Sequence, residues 1–187
     1  MTGNRTSGTE ALLSEALQIL LDKQQLYELV LNYCRGVDRH DFALLETLYH
    51  PDSVDDHSPL FKGSGPEYVR WIPTILERYT VTSHVITGAL FNVDGDVAEG
   101  EVQVTAYHLT KKDPAREVIF HGRFLDRYER RQGVWRILER VTVNDWFESR
   151  IHDQDLAARL SRGILPGRPD ETDPLYSRLK LVKRGVG

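Results

Sequence analysis

The chain has a single cysteine, Cys34, so it can form no internal disulfide, and no Cys-x-x-Cys or Cys/His spacing near it suggests a zinc site. A reducing compartment suits a chain so poor in thiols. No apolar run approaches the roughly eighteen residues that a membrane span needs, and the opening MTGNRTSGTE lacks the apolar centre of a signal peptide. The expectation is a cytoplasmic protein with no membrane partner. Neither sign of charge dominates: 24 Lys and Arg against 28 Asp and Glu leave a formal net charge of −4, well mixed along the chain. That distribution offers nucleic acid no electrostatic footing. The GxSxG elbow, the phosphate loop and the dinucleotide glycine fingerprint are missing as well. Nucleophilic hydrolysis, nucleotide use and hydride transfer therefore lack their usual signals.

What is present suffices for one ordinary domain: 187 residues, 40% apolar and 28% charged, can bury a core without disulfides or metals. Residues 1–10, rich in Gly, Thr, Ser and Asn, read as a flexible arm, 11–150 as the domain and 151–187 as a C-terminal extension. From Leu12 to Val37 apolar residues recur at helical spacing, and Asp22 is placed to split the run by capping a second helix. Gly36 and the polar corner Asp38-Arg39-His40-Asp41 precede a short helix from Phe42 that Pro51 stops. A loop follows, with a short strand near Ser53 to Asp56. Pro66 to Tyr79 reads as a third helix that Pro73 should kink or split.

Near Thr80 the period changes from helical to two. Strands are expected over Val81 to Val93, Val97 to Leu109, Val118 to Arg130 and Val134 to Phe147, joined by reversals at Asp94-Gly95, Lys111 to Pro114 and Arg131 to Gly133. Helices first and an antiparallel meander last give an α+β fold. Strands this long must curl, and a curled sheet has an inside. After Arg150 a short helix over Asp153 to Leu160 leads into GILPGRPDETDP, which has too much Gly and Pro for regular structure.

Two groups carry the chemistry. His84 lies near the start of the first long strand among residues that look buried. Asp38 lies at the helical corner, where packing of helix on sheet brings its carboxylate towards that imidazole. A carboxylate bonded to one ring nitrogen fixes the tautomer and leaves the other nitrogen to take a proton. Asp38 or Asp41 can each cap the helix at Phe42, and two acids three positions apart leave one free. His108 shares a strand face with Val102, Val104 and Ala106, as pocket lip or hydrogen-bonded core residue, and Tyr33 precedes Asp38 on the helix. His57, with Asp55 and Asp56, superficially resembles a metal site, but no second cluster completes a shell and no metal is expected. His57, Phe124 and Trp146 are expected to contact substrate, together with Arg123 if strand parity turns it inward. His40, His50 and His152 read as surface residues.

The run Tyr33-Cys34-Arg35-Gly36-Val37-Asp38, then FALLETLYHPDSV, SHVITG around His84 and HGRFLDRYERRQGVWRI resemble the SnoaL-like branch of the nuclear transport factor 2-like superfamily, over about residues 15–148. The resemblance implies a cone: a curved antiparallel sheet covered by N-terminal helices. It also implies an Asp-His base at Asp38 and His84, since scytalone dehydratase, bile acid 7α-dehydratase and hexachlorocyclohexane dehydrochlorinase place such a pair there for elimination. Tyr33 is similar to a tyrosine of the second of these, and His108 to a second histidine of the first. The Ser/Asn pair of scytalone dehydratase is not reproduced around Phe124, nor is the Arg-Asp-Asp set of limonene epoxide hydrolase evident. By the same resemblance a homo-oligomer is expected, a trimer before a dimer. The function implied is a cofactor-free lyase of the dehydratase type acting on a hydrophobic cyclic small molecule. The alternatives are an isomerase using the same enolisation, or a noncatalytic ligand-binding or assembly domain.

Overall fold

The change of period near Thr80 is where the chain passes from helices to sheet. In the computed structural model, which describes residues 3–186, helix α1 (Gly3–Asp38), helix α2 (Phe42–Leu48), strands β1 (Tyr49–His57) and β2 (Phe61–Ser64) and helix α3 (Gly65–Leu76) come first. The long strands β3 (Tyr79–Asp94), β4 (Val97–Thr110), β5 (Arg116–Arg131) and β6 (Val134–Ile151) follow, then the short helices α4 (Gln154–Leu160) and α5 (Pro174–Arg178).

α1 buries Leu26, Leu29, Val30, Tyr33 and Val37, one stripe at helical spacing. It runs on through Asp22 without a break. Asp22 is buried and holds tertiary partners instead of a cap: it accepts from Arg130 Nη1 at 2.5 Å, Trp135 Nε1 at 3.0 Å and Gln18 Nε2 at 3.1 Å. The expected loose arm is also helical from Gly3 onward, residues 1 and 2 lying outside the described part. Ahead of Asp22 the helix stands clear of the body, with Leu12, Leu13, Leu17 and Leu20 exposed. No helix among the described residues is long and apolar enough to cross a membrane.

Asp41 caps α2 by accepting from the Leu44 amide at 3.2 Å, so Asp38 is the acid left free. Ser64 and Glu67 form a capping box at the start of α3, and Pro73 sits inside that helix, which continues to Leu76. His50 is not on the surface: it is buried, its Nε2 2.9 Å from the Glu129 carbonyl.

The sheet order is β2-β1-β6-β5-β4-β3. β3 to β6 form the expected antiparallel meander, turning at Gly95 (φ +57°) and at Gln132 and Gly133 (φ +53° and +79°). The sheet as a whole is mixed, because β1 joins β6 in parallel and β2 pairs back on β1. It is curved but not closed, and β3 is an edge. β6 carries two irregularities. Tyr128 faces Ile137 while Arg127 faces Glu139, and Gly122 faces Asn144 while His121 faces Trp146, so Leu138 and Asp145 are extra residues without a partner. Each extra residue reverses the inside-outside alternation beyond it.

The end of the extension returns to the corner between α1 and α2. Arg184 donates to the carbonyls of Arg39 at 3.1 Å and His40 at 2.7 Å, and the Gly185 amide donates to Asp41 at 3.0 Å.

Removing the Asp22 carboxylate leaves Arg130 and Trp135 without their shared acceptor. Asp22→Ala should lower the free energy of unfolding in urea by about 2–4 kcal/mol. Gln18→Ala, which removes only the weakest of the three bonds, should stay within about 0.5 kcal/mol of the parent.

Candidate active site

The end of α1, one face of α3 and the concave side of the sheet enclose a cavity of about 360 Å³. α3 presents Tyr68, Trp71, Ile72, Ile75 and Leu76 to it, one face at helical spacing. β4 contributes Val104, Ala106 and His108, the face that strand parity predicts. Phe120 and Phe124 come from β5, Asn144 and Phe147 from β6, and His57 with the turn after it from β1.

Asp38 is the last residue of α1, and His84 lies on the edge strand β3. An edge strand has backbone N–H groups with no strand to receive them. The His84 amide donates to Asp38 Oδ2 at 2.7 Å, and His84 Nδ1 donates to Oδ1 at 2.7 Å. One residue thus occupies both carboxylate oxygens. Burial pushes the Asp38 carboxyl up, but the His84 charge and its two hydrogen bonds, with Arg39, outweigh burial and hold the group below its ordinary value. With Nδ1 engaged, Nε2 is the nitrogen left to meet a ligand.

His108 stands beside His84, ring centroids 5.5 Å apart and planes at 89°. Burial, and then the facing His84 charge, pull it from 6.5 to about 3, so it is a neutral hydrogen-bonding group near neutral pH. Tyr33 is fully buried and shares a 2.6 Å hydrogen bond with the Tyr68 hydroxyl. Burial pushes both phenols up, which makes them donors that keep their protons. His57 Nδ1 is hydrogen-bonded to Asp55, and its ring stacks on Tyr68 with centroids 4.9 Å apart. Asp56 turns the other way, to Lys62 at 2.6 Å. Among the described residues no three His, Cys, Asp or Glu side chains gather as metal ligands would.

Behind the cavity wall is a buried charge. The Arg140 guanidinium is held by both oxygens of Asp126 at 2.8 and 2.6 Å, and it lies 4.2 Å from the Tyr33 ring centroid and 4.1 Å from that of Phe124. Its Nη1 has no hydrogen-bond partner among the described residues.

Five of the eight candidate residues therefore line the cavity, Tyr33, His84, His57, His108 and Phe124, and Asp38 stands behind His84. Two do not. Arg123 is on the outer face of β5, paired with Glu101 at 2.9 Å and Asp145 at 3.1 Å, because its neighbour Phe124 takes the inward direction. Trp146 stacks on His121, centroids 5.2 Å apart, because the extra residue at Asp145 turns Phe147 inward in its place. Tyr68, Trp71, Phe147 and Arg140 were missed. The first two were visible as the i, i+3 face of α3; Arg140 turns inward because of the extra residue at Leu138, and the second extra residue returns Phe147 to the parity of Trp135 and Ile137.

Helices laid across a curved, unclosed sheet with a polar pair in the hollow define the nuclear transport factor 2-like class of α+β fold. The hexachlorocyclohexane dehydrochlorinase LinA-type3 from Novosphingobium barchaimii LL02 is similar with a TM-score of 0.67 and 20% identity, over 74% of this chain and 97% of that one. A scytalone dehydratase-like protein from Novosphingobium aromaticivorans DSM 12444 gives 0.63 and 19%, over 72% and 91%. A nuclear transport factor 2-like superfamily protein from Salmonella enterica gives 0.59 and 17%, over 65% and 89%. At such identities the likeness establishes the fold. Residues 18–141 match the SnoaL-like domain, and the chain belongs to that family. The uncharacterized protein Rv2910c of Mycobacterium tuberculosis H37Rv is 26% identical over 123 residues, 64% of this chain and 83% of that protein.

Because His108 is depressed from 6.5 to about 3 in the fold, the unfolded chain takes up a proton there that the folded chain refuses. The stability this group contributes is complete above 6.5 and is lost as pH falls towards 3. Its slope is at most about 1.4 kcal/mol per pH unit. His40 and Asp38, also depressed, act with the same sign. Urea unfolding at several pH values between neutral and mildly acidic should therefore show a shallower loss for His108→Gln than for the parent.

Proposed function

We propose that the chain is a cofactor-free lyase that eliminates water, or a comparable leaving group, from a compact hydrophobic ring compound. The observation that carries this reading is the use of both Asp38 oxygens by His84, which leaves Nε2 as the nitrogen available to a cavity walled mainly by apolar and aromatic side chains. A neutral imidazole backed by a carboxylate is suited to remove a proton from a carbon beside a carbonyl, and the carboxylate stabilises the imidazolium that results. At about 360 Å³ the cavity is near the lower end of ligand pockets, about 300–1,000 Å³, and suits one fused ring system of the steroid, terpenoid or polyketide type. The fold neighbours named as dehydrochlorinase and scytalone dehydratase-like support elimination as the class of chemistry.

Tyr33 and Tyr68, whose hydroxyls share one hydrogen bond, are placed to donate to a substrate oxygen, and neutral His108 to hydrogen-bond beside the base. An isomerase would use the same base and return the proton to another carbon.

Turnover of cyclic hydroxyketones followed by mass spectrometry separates the two, since only elimination removes the mass of water. His84→Ala should lose about 10²- to 10⁴-fold in rate, the usual worth of a general base. Asp38→Asn should fall in the same direction, because an amide cannot accept both N–H bonds and support the imidazolium. Full activity in both variants would overturn the proposal.

A further inference from the structure

A second carboxylate-imidazole pair meets the same cavity from towards the other end of the sheet. His57 ends β1, with three strands between it and the β3 edge that carries His84. Asp55, fully buried, engages His57 Nδ1 with Oδ1 and accepts the Tyr49 hydroxyl at 2.7 Å with Oδ2. The ring lies nearly flat on Tyr68, 15° between planes, so both its orientation and its tautomer are held. Nε2 is again the nitrogen left to meet a ligand, and the residue lines the cavity. Among the described residues no third group in the cavity wall repeats this arrangement: His108 is flanked by Tyr79 and His84 rather than by a carboxylate of its own.

We propose that His57, positioned by Asp55, is the acid that protonates the leaving group while His84 takes the proton from carbon. The inference rests on the lyase reading given above. In the step, the C–H electron pair becomes the new C=C bond and the proton passes to His84 Nε2. The C–O bond breaks towards oxygen, and that oxygen takes the proton of His57 Nε2 and leaves as water. The substrate loses one water, the His57 imidazolium becomes neutral and neutral His84 becomes an imidazolium. Solvent then carries one proton back from His84 to His57, which closes the cycle.

The charge balance favours this assignment. One proton moves from one carboxylate-backed imidazole to the other, so the net charge of the hollow is the same before and after. Creating an unpaired charge in a water-poor cavity is expensive, and moving one between two prepared sites avoids that cost. The other donors do not fit the task. Tyr33 and Tyr68 hold their protons too firmly to surrender one to hydroxide, though they can hydrogen-bond a carbonyl. His108 is neutral and has no carboxylate to support a charge.

The test uses decalones bearing a β-hydroxyl group, together with the parent decalone that has no leaving group. Elimination is followed by mass, and base action alone by deuterium uptake from heavy water at the carbon beside the carbonyl. In His57→Gln, elimination should fall by about 10²- to 10⁴-fold while exchange of the parent ketone stays within about threefold. Asp55→Asn should show the same split in milder form, and His84→Gln should lose both reactions. If His57→Gln does not fold, His57→Phe, which keeps a ring on Tyr68, is read in the same way. Equal loss of both reactions in the His57 variant, or loss of neither, overturns the proposal and leaves the His84 base standing. A parent protein that binds the ketones yet neither exchanges nor eliminates them overturns the lyase reading, and this proposal with it.

Discussion

Both oxygens of the Asp38 carboxylate are committed to one residue of an edge strand, and the geometry of the hollow follows from that joint. It ties the last turn of α1 to β3 at His84, so the helix cannot slide along the sheet without breaking two short charge-assisted bonds. The same turn and the one before it carry Val37 and Tyr33 into the cavity wall. One carboxylate thereby satisfies an otherwise unpaired backbone amide, fixes an imidazole tautomer and sets the height of the helix over the sheet. The C-terminal extension reinforces the corner from outside, where Arg184 and Gly185 fasten the three residues that follow Asp38.

A second constraint lies deeper. Arg140 and Asp126 are a fully buried ion pair between two aromatic rings. Burial of two charges is tolerable here because Asp126 also accepts the Tyr128 hydroxyl at 2.5 Å and the guanidinium faces rest on Tyr33 and Phe124. The rings that wall the ligand space are thus braced from behind by a cation that does not itself line it.

Most of the architecture was legible because local signals agreed with one another. Helical spacing located α1 and α3, alternation located the four long strands, and glycine or positive-φ positions marked their reversals. The pairing of Asp38 with His84 was readable because the corner holds two acids and only one is needed as a cap. The errors have a common cause, which is tertiary structure overriding a local preference. Asp22 looked like a helix start but serves as an acceptor for groups more than a hundred residues away. His50 looked exposed because nothing nearby in sequence announces the Glu129 carbonyl it meets. Trp146 was expected against the substrate, but pairing opposite His121 turns it to the other face and leaves Phe147 on the inner one.

The two unpaired residues of β6 have a consequence for how this scaffold can diverge. An irregularity inside a strand changes its coiling, so the curvature of the chamber wall is set in part at Leu138 and Asp145. Deleting either unpaired residue would leave its neighbours opposite the same partners, Phe147 still on Phe120, while changing the bend of the wall. A single-residue deletion within this inner strand therefore reshapes the chamber without replacing the side chains that line it.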